Sequence, residues 1–279
     1  MIVVQKVPPL RLSRGNFQAV KVDIMLNTEV TLEVEGLKIS GQLYLPGRGD
    51  HPPYPTVCLC HGIPAKRPDP NNDRGYHLLA ERICGEGLAV LTFNFRGAGI
   101  SDGNLDLSGW TRDLKAAIDY LWALSEVDRT HLSLLGFSAG AAVSIYVAAQ
   151  DNRVSSVASC ACPLEFTSLI GANDLQSVID HFRDIGAIRD KDFPPSVEDW
   201  VDGFRLVNPV RYVAEIAPRP LLLVHGNKDE VVDVGHVYKL YAGAREPKQV
   251  IVVDEAGHRL RQNDRAMAIV IDWLKSQSL

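Results

Sequence analysis

Leu135-Gly136-Phe137-Ser138-Ala139-Gly140 is the stretch on which the reading of this chain turns. It has the form G-x-S-x-G. The apolar run His131 to Leu135 before it reads as a strand, and AGAAVSIYVAAQ after it, Ala139 to Gln150, reads as a helix. A strand that turns at once into a helix forces the serine into a strained backbone conformation, and only small neighbours leave room for that turn. The plain alternative is a tight turn whose Ser138 only caps the helix. The helix is apolar nearly all round, which predicts burial beneath the centre of a sheet.

Working outward from Ser138, strands and helices alternate. Thr56 to Cys60 and Leu88 to Phe93 are continuous apolar runs, as in strands covered on both faces. Between them Tyr76, Leu79, Ala80 and Ile83 recur at helical spacing, and Gly85 and Gly87 close the helix. Trp110, Leu114, Ala117, Ile118 and Leu121 predict a second helix with Ser108 as its N-cap. Further strands are expected over Val154 to Cys160, Leu221 to His225 and Gln249 to Val253, with helices over His236 to Ala242 and Asp264 to Leu274. Between Val20 and Pro46 the alternation of apolar and polar residues around Glu35-Gly36 predicts an antiparallel hairpin at a sheet edge. The fold class is therefore α/β, a mostly parallel sheet with helices on both faces and an N-terminal antiparallel hairpin. Pro163 to Asn208 interrupts the rhythm with helical periodicities and no clear strand, so it is expected to be a small helical cap insertion, 163–208, in a core made of 1–162 and 209–279.

A serine hydroxyl is a poor nucleophile at neutral pH and needs a base, which in turn needs a carboxylate to orient it. Both candidates lie downstream, at the ends of two predicted strands. His225-Gly226-Asn227-Lys228-Asp229-Glu230 offers acids, of which Asp229 is favoured over Glu230 and Asp233, and Asp254-Glu255-Ala256-Gly257-His258 offers a histidine. Reactive groups of open α/β sheets gather at the carboxyl ends of strands, so Ser138, Asp229 and His258 can converge. His61 and His225 end strands ahead of a glycine, where a ring can bond to loop backbone. His51, His77, His131, His181 and His236 are expected in loops or on helix surfaces. Two preorganised amides are needed to hold a developing oxyanion. Ala139 follows the nucleophile, and in His61-Gly62-Ile63-Pro64 the Ile63 amide is the better second donor because Pro64 has none.

Composition narrows the partners. The 279 residues are 46% hydrophobic and 23% charged, which excludes a disordered chain. Net charge is −5 with no basic block, so no nucleic-acid partner is expected. The five cysteines do not form a ligand-spaced set, which predicts small buried hydrophobes, no metal and a reducing cytoplasmic setting. The opening Met1 to Arg14 lacks signal-peptide organisation, and no apolar run approaches the roughly 18 residues of a spanning helix, so no membrane is expected. Arg96-Gly97-Ala98-Gly99-Ile100-Ser101-Asp102-Gly103 has the wrong glycine spacing for a dinucleotide loop and is expected to be structural, with Arg96 and Asp102 in local hydrogen bonds.

Taken together, His61-Gly62, Arg96-Gly97-Ala98-Gly99 with Ser101 and Gly103, Gly136-Phe137-Ser138-Ala139-Gly140, His225-Gly226 with Asp229, and Gly257-His258 resemble the α/β-hydrolase superfamily. The nearest likeness is to prokaryotic serine esterases and their serine-aminopeptidase-like and dienelactone-hydrolase-like relatives. The resemblance implies an eight-stranded sheet, a Ser138, His258 and Asp229 triad, and an oxyanion hole from Ile63 and Ala139. The layout of the insertion is similar to the cap of cinnamoyl and feruloyl esterases, which makes Phe166, Leu169, Ile170, Phe182, Phe193, Trp200 and Phe204 candidates for an acyl or aryl pocket. Packing of the cap on the sheet is the plainer role for most of them. The expected activity is a serine carboxylester hydrolase acting on small to medium acyl or aryl esters through an acyl-enzyme, with no cofactor. A peptidase or amidase with the same triad is the rival, for which Glu165 and Asp174 would be the amine-binding acids. A non-catalytic ligand-binding protein of this fold is the more distant one. A homodimer is compatible with this reading.

Overall fold

Glu35 and Gly36 both take positive φ, 54° and 80°, and so form the tight turn that joins β1 (Leu26–Val34) to β2 (Leu37–Leu45). Two left-handed residues in succession give the twist that antiparallel strands need, which is why Glu-Gly ends one run and starts the next. The computed structural model describes residues 25–47, 51–64, 75–166, 169 and 174–278. Met1 to Arg14, the beginning of the hairpin region from Val20, and Ile170 lie outside the described residues.

The remaining elements are β3 (Tyr54–Cys60), α1 (Gly75–Cys84), β4 (Ala89–Phe93), α2 (Leu107–Ala123), β5 (Val127–Phe137), α3 (Ala139–Gln150), β6 (Ser156–Cys160), α4 (Leu175–Asp184), α5 (Val197–Leu206), β7 (Leu221–Gly226), α6 (Gly235–Gly243), β8 (Lys248–Val253) and α7 (Asp264–Ser276). Eight strands form one sheet in the order β1-β2-β4-β3-β5-β6-β7-β8. The pairs β1·β2 and β2·β4 are antiparallel, and every pair from β4 through β3 to β8 is parallel. This is the expected mostly parallel sheet with an antiparallel hairpin at its edge. Buried side chains of α1 and α7 pack on one face, while those of α2, α3, α4, α5 and α6 pack on the other.

Two local expectations need correction. The N-cap of α2 is Asp106, whose carboxylate accepts from the Ser108 amide, so Ser108 already lies within the first turn. In the glycine-rich loop the Arg96 side chain, expected in local hydrogen bonds, bonds outside the loop. Its guanidinium grips Asp113 of α2 through Nε and Nη2 (3.1 and 2.7 Å to Oδ1) and reaches Glu35 through Nη1 (2.9 Å). Asp102 instead accepts from the Lys38 amide on β2 (2.9 Å). The loop is thus a clasp between the hairpin and α2, with the Phe95 ring stacked on Trp110 at 4.4 Å and 7°.

Residues 163–208 place α5 against α2. Leu105 exchanges a hydrogen bond from its amide to the Ala187 carbonyl (2.7 Å) and one to its carbonyl from Trp200 Nε1 (2.8 Å). Arg189 donates to the carbonyls of Ser101 and Gly99. The inner face of this segment therefore continues the core above the sheet.

Candidate active site

From Leu132 to Ala148 every residue is buried except Ser138. It sits between β5 and α3 with φ 52° and ψ −123°, a conformation that costs on the order of 1–3 kcal/mol for a non-glycine residue. The strain is held in place by neighbours. The Ser138 amide donates to the Cys160 carbonyl (2.9 Å), and its own carbonyl accepts from Ala141 and Ala142. Gly136 and Gly140 are both required: a β-carbon on Gly136 would meet Ala141 Cα at 2.5 Å, and one on Gly140 would strike the His61 carbonyl and meet that of Cys60 at 2.6 Å.

Ala139 is the first residue of α3, so its amide has no partner within the helix and lies at the positive end of the helix dipole. The loop after β3 lies against the same turn. A β-carbon on Gly62 would stand 3.0 Å from Ser138 Cβ and 3.6 Å from its Oγ. His61 sets the course of this loop: Nε2 accepts from the Phe95 amide (2.9 Å), so the ring proton is on Nδ1 and donates to the Gly62 carbonyl (2.6 Å). Burial lowers the His61 pKa to about 4, with the Gly62 bond opposing, so the ring is neutral at ordinary pH. Ile63, next along, is half-buried against the core on the α2 and α3 side of the sheet. Tyr76 closes the other side. Its hydroxyl accepts from the Gly62 amide (3.4 Å), its ring meets Phe137 edge-on, and the Arg261 guanidinium stands 5.0 Å from the ring centre. Burial pushes the Tyr76 phenol up to about 12 despite Arg261, keeping it protonated.

His258 follows β8, and its Nδ1 lies 3.0 and 2.9 Å from the two oxygens of Asp229, which follows β7. The proton is therefore on Nδ1, which leaves Nε2 as the unprotonated nitrogen. The two loops are stitched together. Asn227 and Lys228 donate from their amides to Val253 and Ala256, and the Asn227 side chain bonds Glu255 and Asp254. The Asp229 side chain is fully buried. Burial alone would raise its pKa, but contacts from His225 and His258 and the amides of Val232 and Val231 hold it well below the usual carboxylate range. The other two acids meet backbone amides rather than the His258 ring: Glu230 accepts from the His258 amide (3.3 Å) and Asp233 from the Gly235 amide (2.8 Å). His225 was expected to bond loop backbone, and its Nε2 does reach the Val232 carbonyl (2.9 Å), but it also lies 3.1 Å from Asp229 Oδ2. The signal for that second contact was the i, i+4 spacing of His225 and Asp229 across a strand end. Tyr76 carried no comparable signal.

A family model described as alpha/beta hydrolase fold matches residues 55–202, which is more than half of the chain. The chain belongs to the α/β hydrolase fold family. This α/β hydrolase is 27% identical over 241 residues to protein Rv2307c of Mycobacterium tuberculosis, covering 85% of this chain and 72% of that one. Among solved structures it is similar to the esterase domain of a Rhodothermus marinus protein, at 25% identity and TM-score 0.63, covering 90% of this chain and 97% of that domain. Est1E of Butyrivibrio proteoclasticus, solved with ferulic acid bound, shares the fold at 18% identity and TM-score 0.63, covering 88% of this chain and 96% of that one. Family and esterase neighbours together support a hydrolase.

The aromatic residues of the insertion are placed differently from its half-buried edge. Phe166, Phe182 and Trp200 are buried in the core on the α2 and α3 side of the sheet, where Trp200 packs edge-on against Phe182 and Phe204, and Phe166 against Phe204. Leu169 and Phe193 are only partly buried. Asp174 caps α4 by accepting from the Ser177 amide, and Glu165 is exposed. His77 bonds the Tyr44 hydroxyl, His131 bonds Asp128, and His236 accepts from the Leu164 amide. All five cysteines are buried and unpaired in disulfides. Among the described residues no group of side chains could hold a metal ion, and no helix is long and apolar enough to cross a membrane.

Proposed function

We propose that this α/β hydrolase is a serine carboxylester hydrolase whose nucleophile is Ser138, whose base is His258 and whose orienting acid is Asp229. The observation that carries the reading is the His258–Asp229 contact, which fixes the proton on Nδ1 and leaves Nε2 able to take one. His258 Nε2 removes the Ser138 proton as Oγ attacks the ester carbonyl. The amides of Ala139 and Ile63 receive the oxyanion, and His258 returns the proton to the leaving alcohol. Water then attacks the acyl-enzyme by the same route, with His258 again as base, and Ser138 is regenerated.

The proposed substrates are small to medium acyl or aryl esters, a choice supported by the esterase names of the structural neighbours. In this reading residues 163–208 form a cap. Ile63 and Leu169, both partly buried on the cap-side core, line the acyl pocket, and Phe166, Phe182 and Trp200 form the rigid wall behind it. The test is turnover of p-nitrophenyl esters graded from acetate to long acyl chains, together with an aminoacyl anilide. Wild-type protein should hydrolyse the short and medium esters and take a fluorophosphonate on Ser138, and Ser138→Ala should do neither while keeping its fold. Hydrolysis by the Ser138→Ala protein at the wild-type rate overturns the assignment, and preferential cleavage of the anilide moves it to an amidase.

A further inference from the structure

Asp229 Oδ1 accepts from the amides of Val231 (2.9 Å) and Val232 (2.8 Å), as expected of an acid that closes a turn. Oδ2 is different. Among the described residues it meets two imidazoles, His258 Nδ1 at 2.9 Å and His225 Nε2 at 3.1 Å. The His225 ring is fully buried, and with its proton on Nε2 its Nδ1 has a lone pair with no hydrogen-bond partner among the described residues. An orphaned buried nitrogen is costly, and closing the turn onto the Val232 carbonyl does not require an imidazole.

We propose that His225 is a positioning residue of the hydrolytic centre that acts through Asp229, its Nε2–H donating to the Val232 carbonyl (2.9 Å) while standing beside the same Oδ2 (3.1 Å) that the Nδ1–H of His258 meets. The inference rests on the hydrolase reading of Ser138, His258 and Asp229. That N–H holds the carboxylate in the plane His258 needs, and it draws off part of the negative charge that would otherwise stabilise a protonated His258. Removing it should leave His258 loosely aimed and more easily protonated. The other titratable groups near His225 are few. On α6 His236 interacts with it, flanked by Asp233. On β8 its partner is Val252, and β6 presents only Ser, Val, Ala and the neutral Cys160, whose thiol burial pushes up.

The experiment compares wild type, His225→Leu and His225→Gln with a p-nitrophenyl ester, recording kcat, KM and the pH profile of kcat/KM, with thermal unfolding as the control. His225→Leu should lower kcat on the order of tenfold with KM within about twofold, and move the acid limb to higher pH. His225→Gln, whose side-chain N–H can reach the position of Nε2–H, should restore most of kcat and return the limb. A folded His225→Leu protein with kcat within twofold of wild type and an unmoved limb overturns the proposal. So does a Gln variant no better than Leu. Nitrogen-15 spectra of the wild-type imidazoles provide a measurement that needs no variant: His225 should be in the Nε2–H form at neutral pH, and an Nδ1–H form overturns the proposal. If instead wild-type protein is inert to every ester and Ser138 is not labelled, the hydrolase reading is what fails.

Discussion

Asp229 and His258 face one another across the ends of β7 and β8, both carboxylate oxygens within 3.0 Å of the ring Nδ1. The contact is buried on the acid side and partly open on the histidine side, where the side chain keeps 18% of its exposure. The proposed roles of His258 as base and Asp229 as orienting acid fit this asymmetry.

Asp229→Asn keeps the shape of the acid but offers His258 an amide, which favours the wrong tautomer. The variant should lose about 10³–10⁴-fold in kcat with little change in KM or melting temperature, as read by steady-state hydrolysis of a short p-nitrophenyl ester. Loss below tenfold would remove Asp229 from the role given to it.

His61 gives stability a pH dependence of known sign. Its folded pKa is about 4 against an ordinary 6.5, so between those values only the unfolded chain binds the proton. Stability from this group is complete above pH 6.5 and falls as pH drops toward 4. Urea unfolding at pH 7 and pH 5 should differ by about 2 kcal/mol from this group, and a His61→Gln protein should lack that component of the slope.

Gly140→Ala places a methyl group against the carbonyls of His61 and Cys60, which belong to the backbone and cannot swing away. Stability should fall by about 1–3 kcal/mol in chemical unfolding. Because the displaced chain carries Gly62 and Ile63, activity should fall further than the loss of folded protein accounts for.

The Arg96 cluster separates buried from exposed charge. Side-chain exposure is 6% for Arg96 and 0% for Asp113, but 49% for Glu35. Asp113→Ala strands a buried guanidinium and should cost about 3–5 kcal/mol, whereas the double change Arg96→Met with Asp113→Leu should recover much of it. Glu35→Ala should cost under about 1 kcal/mol. Equal costs for Asp113→Ala and Glu35→Ala would contradict the burial argument.

The strand, turn and helix around Ser138 were legible because their causes lie within a few residues: apolar runs, two glycines and the sterics of one turn. The hairpin was legible for the same reason, since Glu35-Gly36 is its own turn signal. His225 was read only as a strand-end ring bonding backbone, because its i, i+4 spacing to Asp229 becomes a contact only if the chain turns back after β7, which the packing of the loop decides. Arg96 was expected only in local hydrogen bonds, since its acid, Asp113, is brought in by the packing of α2. The apolar side chains of the insertion have the same periodicity whether they face a ligand or the core. Packing placed Phe166, Phe182 and Trp200 in the core.

By itself the sequence determined the order of elements, their periodicities and the strained serine between β5 and α3, all consequences of short-range sterics and solvent exclusion. The tertiary structure alone decided that β4 lies between β2 and β3, that β7 and β8 are neighbours, and that Asp229 Oδ2 stands 2.9 Å from His258 and 3.1 Å from His225. Those facts depend on which distant segments exclude water from one another, and that is settled only when the whole sheet closes.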